Sequence, residues 1–139
     1  MTLPPALLPL RLPPDSDLKA ALLEAALAWS PDGAVLLSGI GSLHGARLRL
    51  AAADGPHEVA GPCELLTLAG TLGPDGAHLH MSVADAAGRV WGGHVLDGNR
   101  VRTTAELLLS AVPGWRLGRR HDPATGHLEW QPVRRPGAG

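Results

Sequence analysis

The sequence contains no phenylalanine and no tyrosine, and its four tryptophans are its only aromatic residues. A hydrophobic core must therefore be built from Leu, Val, Ala and Ile, and the aromatic platforms on which single-stranded nucleic acid stacks are missing. An excess of positive charge is also missing, since Lys and Arg number 12 against 13 Asp and Glu, for a formal net charge of −1. Dedicated nucleic-acid binders carry a basic face, so this balance argues against direct DNA binding as the main task. Cys63 is the only cysteine, which excludes an intrachain disulfide and gives no sign of an oxidising compartment. No apolar run is long enough to span a bilayer. The Leu-rich start carries no positive residue between Met1 and Arg11 and is broken by Pro, which does not fit a signal peptide. The expected location is cytoplasmic, with no membrane partner.

Hydrophobic residues make up 45% of the 139 positions, enough for one globular domain. The 18 Gly and 13 Pro are scattered as punctuation, which suits many short strands joined by turns. Leu7–Leu12 reads as a first strand ended by Pro13-Pro14. Asp15 or Ser16 then caps a helix whose apolar stripe is Leu18, Ala21, Leu22, Ala25, Ala26 and Trp29. The segments 34–43, 46–51, 64–72, 78–84, 90–96 and 101–112 read as strands. Leu128–Val133 adds an edge strand, and the last residues are expected to be mobile. The expectation is α+β: a mixed, mostly antiparallel sheet with one amphipathic helix packed on it. The single domain has its core over about 7–117, and 118–139 form the edge strand and tail. Gly39-Ile40-Gly41 is no phosphate loop, because the third glycine position is His44 and a strand follows.

Three histidines carry the chemical signal. His78 and His80 are two apart, so on a strand both point to one face, with Leu79 and Met81 on the other. Ala86-Ala87-Gly88 suits a three-residue hairpin loop with Gly in the left-handed position, which pairs Asp85 with Arg89. Counting outward places His80 directly opposite His94, at a Cβ separation of roughly 4.5–5.5 Å. Three imidazoles on one patch, with open positions, are the donor set of a catalytic zinc site, although Ni, Cu and Fe(II) also accept it. The bland alternative is three polar residues on a solvated face. His44, His57, His121 and His127 fall in expected turns or the tail and read as surface residues. Glu64 and Glu106 each interrupt an apolar strand, and read either as water-facing or arginine-paired carboxylates or as pocket acids. Arg116, Arg119, Arg120, Arg134 and Arg135 make the C-terminal part mildly basic and read as a solvated tail.

Several fragments in order add a resemblance. Ser38-Gly39-Ile40-Gly41-Ser42-Leu43, Ala46-Arg47-Leu48-Arg49, Gly61-Pro62-Cys63-Glu64-Leu65-Leu66-Thr67-Leu68-Ala69-Gly70, His78-Leu79-His80, Gly92-Gly93-His94 and Arg102-Thr103-Thr104-Ala105-Glu106 resemble the plant-and-prokaryote-conserved (PPC) domain family over roughly residues 7–117. The resemblance implies a homotrimeric α+β domain. Bacterial stand-alone members are described as DNA-binding by similarity, without a defined biochemical role. The chain lacks the Arg-Gly-Arg-Pro core of the AT-hook that precedes the domain in plants, and plant members generally lack the histidines. Its Pro62-Cys63 stands where the plant partner-contacting motif has Arg-Phe. His78-x-His80 with Gly92-Gly93-His94 also looks like the zinc signature of acetolactate decarboxylase, which uses such a site to polarise a carbonyl. That likeness implies an arginine and glutamates near the metal, for which Arg47, Glu64 and Glu106 are the candidates. The chain is much shorter than that enzyme. Three readings therefore stand. The first is a zinc-binding trimer, with a possible small-molecule ligand at the metal. The second is a metal-dependent lyase. The third is a DNA-associated or protein-interaction module without metal function.

Overall fold

The segment Pro13–Asp17 turns the chain from a strand into a helix. Asp15 takes a positive φ of 67°, and it is Asp17 rather than the expected Asp15 or Ser16 that caps the helix, accepting from the Ala20 N–H at 3.1 Å. The other carboxylate oxygen of Asp17 accepts from Gly98 N–H at 3.0 Å, so one side chain ties the helix start to the loop before a distant strand. In the computed structural model, which describes residues 6–137, helix α1 spans Leu18–Trp29. The start of the Leu run at Met1 and the final Ala138-Gly139 of the expected mobile tail lie outside the described residues. Leu18, Leu22 and Ala26 are fully buried, while Ala21, Ala25 and Trp29 flank them half-buried, so the helical stripe is real but narrower than its apolar positions suggest.

The strands are β1 (Leu7–Leu12), β2 (Ala34–Leu43), β3 (Ala46–Arg49), β4 (His57–Val59), β5 (Cys63–Gly73), β6 (Gly76–Ala84), β7 (Val90–Val95), β8 (Val101–Ala111), β9 (Trp115–Asp122) and β10 (His127–Arg134). The first eight form one sheet in the order β1-β8-β2-β5-β6-β7-β3-β4, and β9 pairs with β10 in a separate two-stranded sheet. Every pairing is antiparallel, which corrects the expectation of a mixed sheet. The sheet dominates, so that α+β holds only roughly: 59% of the described residues are strand and 9% helix. β1 and β2 flank β8 and run in the same direction, and α1 crosses from one to the other over the sheet face. Among the described residues no helix is long and apolar enough to cross a membrane.

The alternation of each strand divides the sheet into two faces. Leu36, Leu68, Leu72, Leu79, Met81, Val83, Val95 and Leu109 are buried with Leu18 and Leu22 in one cluster. Residues one step away, such as Glu64, Leu66, His80 and Glu106, are exposed on the opposite face. The expected edge strand at 128–133 is β10, which joins only β9. The resulting hairpin is fastened to the end of the main sheet by Leu117 N–H to Asp32 O at 2.7 Å, Arg119 N–H to Asp75 Oδ2 at 2.9 Å and an Arg135–Asp32 ion pair.

Gly70 on β5 has a φ of +151°, and a Cβ there would overlap the backbone carbonyl oxygen of His78 on β6. Its lack of a side chain lets the two strands close up beside the first histidine. Gly70→Ala is expected to lower stability by about 2 kcal/mol or more, through combined backbone strain and steric overlap. Urea denaturation followed by tryptophan fluorescence measures this, and an unchanged midpoint would contradict the packing described.

Candidate metal centre

The β6–β7 hairpin sets the site. Gly88 takes a φ of 80° and donates its N–H to Asp85 O at 2.9 Å, and Asp85 N–H bonds Arg89 O at 2.9 Å. Asp85 Oδ1 also accepts from Ala87 N–H and Arg89 N–H at 2.9 and 3.0 Å, so the loop is fixed from inside. Five residue pairs further along the ladder, His80 stands opposite His94. Leu79 and Met81 enter the core, which sends His78 and His80 to the outer face.

All three imidazoles meet there. Their ring centroids lie 4.9 Å (His78–His80), 5.2 Å (His78–His94) and 5.7 Å (His80–His94) apart. One nitrogen from each falls within 4.8 Å of the others, and His78 Nε2 and His80 Nε2 are 3.1 Å apart. Two nitrogens bound tetrahedrally to one ion at about 2.0–2.1 Å are separated by roughly 3.3 Å, so this pair already has the spacing of ligands. No other hydrogen bond engages the three rings among the described residues, and the donor set fits a transition-metal ion. His80 is exposed, whereas His78 and His94 are half-buried.

The neighbours are basic. Across the sheet, Ala69 of β5, His80 of β6, His94 of β7 and Arg49 of β3 are successive register partners. Thr71 of β5 stands opposite His78, and its hydroxyl accepts from Arg119 Nη2 of β9 at 3.0 Å. Arg49, His78, His94, Arg119, His127 and Glu129 share the wall of a cavity of about 590 Å³. A second depression of about 360 Å³ shares Arg49, His78 and His94 and adds His80.

This setting acts on the imidazoles. Burial, then the positive charge of Arg49, lowers the His94 pKa to about 4. Burial followed by Arg119 lowers that of His78, with Glu129 opposing. Loss of water disfavours the charged ring, and a nearby cation disfavours it further.

The other expected pocket residues are elsewhere. Arg47 pairs with Glu58 of β4 at 2.8 Å. Glu64 and Glu106 line a different depression of about 600 Å³, together with Ile40, Leu66, Arg102 and Thr104. Glu106 forms no ion pair with Arg102 among the described residues. The charged residues that the fold does bring beside the histidines are Arg49, Arg119 and Glu129. Arg119 and Glu129 belong to the segment read as edge strand and tail, and His127 joins them from a position read as ordinary surface. The alternation of β3 already turned Arg49 away from Leu48. The signal it lacked was the pairing of β3 with β7.

Comparison with known proteins gives a family match. A model described as the Plants and Prokaryotes Conserved (PCC) domain covers residues 6–113, which leaves β9 and β10 beyond its end. The bifunctional protein GlmU of Synechococcus sp. (strain JA-2-3B'a(2-13)) is 48% identical over 127 residues, covering 90% of this chain and 20% of that protein. The chain thus spans about a fifth of the length of the curated relatives it matches. A hypothetical protein from Salmonella cholerae-suis has a solved structure with a TM-score of 0.87 at 31% identity, covering 93% of this chain and 94% of its own. A structure of a metal-containing protein from Archaeoglobus fulgidus has a TM-score of 0.76 at 24% identity, covering 90% and 92%. One from Ralstonia eutropha, whose name gives DNA binding as a candidate role, has 0.77 at 20%, covering 88% and 89%. The last two share the fold.

In the metal-free protein the His94 ring stays neutral down to about pH 4, whereas an unfolded chain takes up that proton near 6.5. The stability tied to this residue is therefore present above pH 6.5 and is lost as the pH falls toward about 4. Imidazole-selective NMR titration of the metal-free protein is expected to show His94 unprotonated at pH 5.5. A midpoint near 6.5 would contradict the burial and the Arg49 effect.

Proposed function

The chain belongs to the Plants and Prokaryotes Conserved domain family, and we propose that it binds a divalent transition metal, zinc first, on His78, His80 and His94 within a homotrimer. The carrying observation is the convergence of three otherwise unengaged imidazoles on one outward patch. The lowered proton affinity of His78 and His94 supports the reading, because a ligand must be neutral to donate its lone pair. The metal-containing relative from Archaeoglobus fulgidus is consistent with it. Zinc held by three imidazoles keeps an open coordination position and polarises an oxygen ligand as a Lewis acid. His94 lies on β7 between β6 and β3, and Thr71 of β5 stands opposite His78.

The trimer is proposed from the family and from the outer face. Leu37 and Ile40 are each 52% exposed on β2, and Leu66 is 41% exposed on β5. Glu64, Glu106 and Arg102 share one depression with Ile40 and Leu66, and form no ion pair among the described residues. Apolar side chains rimmed by unpaired charges suit an interface with further copies of the chain. A lyase reading would need an acid and a base at the histidines; Arg47, Glu64 and Glu106 stand at other depressions, which leaves Glu129, Arg49 and Arg119 as the groups such a reading would use. Direct DNA binding, the candidate role in the name of the Ralstonia relative, would need a basic face that the net charge of −1 does not favour.

Native mass spectrometry of the untagged protein, prepared without chelators, tests both parts. The expected species has three chains and about one zinc ion per chain, and His80→Ala is expected to retain the three chains and lose the zinc. Zinc absent after reconstitution sinks the metal reading, and a monomer sinks the trimer.

A further inference from the structure

The cavity beside the histidines has a charge pattern that metal binding does not require. Arg49 and Arg119 reach the histidines from opposite sides of the strand order, Arg49 from β3 next to β7 and Arg119 from β9 over β5. A metal ligand set is expected to avoid cations unless something negative sits between them, since like charges repel at short range. Neither arginine forms an ion pair among the described residues. Among the described residues the Arg49 side chain makes no hydrogen bond, and Arg119 is held by neutral acceptors, Thr71 Oγ1 at 3.0 Å and Leu128 O at 3.4 Å. Its backbone is pinned by Asp75 at 2.9 Å, so the guanidinium is placed while its charge is left unanswered. Glu129 is the one carboxylate on the wall, and it accepts from the Thr125 hydroxyl at 3.0 Å, toward the β9–β10 turn. Two cations against one anion leave the cavity positive even before a metal is added.

We propose that this cavity is a binding site for a small organic acid carrying carboxylate groups, gripped by Arg49 and Arg119 with one end at the histidine patch. The location rests on the metal reading, but the arginine grip does not. Planar guanidinium groups match carboxylate oxygens in pairs, and a cavity of about 590 Å³ is at the scale of a small-molecule site. The β9–β10 hairpin, which lies beyond the family match at residue 113, supplies Arg119, Leu128 and Glu129 to the wall. In this account the hairpin is the selectivity element of the site, and its residues decide which acid fits.

The probe is malonate, compared with the uncharged malonamide and with inorganic phosphate, by calorimetric titration of metal-free and zinc-loaded protein. Malonate is expected to bind both forms, more tightly with zinc, while malonamide does not bind and phosphate binds at least tenfold more weakly. Arg49→Gln and Arg119→Gln are each expected to weaken malonate at least tenfold, with thermal midpoints checked to confirm folding. Arg100→Gln, whose guanidinium donates to Asp15 O and lines no wall of this cavity, is expected to change nothing. Malonate binding to metal-free protein that Arg119→Gln abolishes would support the acid site even if zinc never bound. The proposal is overturned if malonate fails to bind either form, if phosphate binds as well as malonate, or if both arginine variants bind malonate like the wild type.

Discussion

The register between β6 and β7 is the constraint on which the site depends. Side chains alternate with a period of two along a strand, so a slip of one residue would carry His78 and His80 into the core and turn Leu79 and Met81 to solvent. Both errors are costly, because Leu79 and Met81 are almost wholly buried in the cluster that α1 covers. The loop at Ala86-Ala87-Gly88 enforces the same register locally, through the Asp85 carboxylate and the positive φ of Gly88. Core packing and loop geometry thus agree, and the histidines face outward as a consequence.

From that register the surroundings follow by strand order. β5 lies on one side of β6 and brings Thr71 opposite His78. β3 lies beyond β7 and brings Arg49 opposite His94. The end of the sheet supports the β9–β10 hairpin through Asp32 and Asp75, and the hairpin carries Arg119 back over β5. Arg49 and Arg119 then help burial to keep His94 and His78 unprotonated. The same two charges favour the neutral imidazoles that the proposed metal requires and leave the cavity positive, as the proposed anion requires.

The parts legible in the sequence were those fixed by short-range rules. The helix stripe from Leu18 and the alternation around His78 and His80 needed only element periodicity, and the His80–His94 pairing needed only the hairpin loop length. The β3–β7 pairing was not legible, because it joins residues some 45 apart in the chain and no local pattern sets sheet order. The hairpin strand at Trp-Arg-Leu-Gly-Arg-Arg-His-Asp was missed because its residues do not alternate between apolar and polar. Its partner β10 and the contacts to Asp32 and Asp75 make it a strand. Arg119 therefore looked like one of several solvated tail arginines. The cap fell on Asp17 rather than Asp15 or Ser16 because Asp17 also answers Gly98 N–H, a tertiary contact. Arg47 was a reasonable pocket candidate by residue type, but Glu58 of the short β4 takes its charge.

A crystal structure of the zinc-soaked protein, with anomalous data collected on both sides of the zinc absorption edge, tests the central claim most directly. A zinc peak is expected within about 2.0–2.1 Å of one ring nitrogen each from His78, His80 and His94. A peak ligated by other residues, or none at these three histidines in a fully soaked crystal, would contradict it.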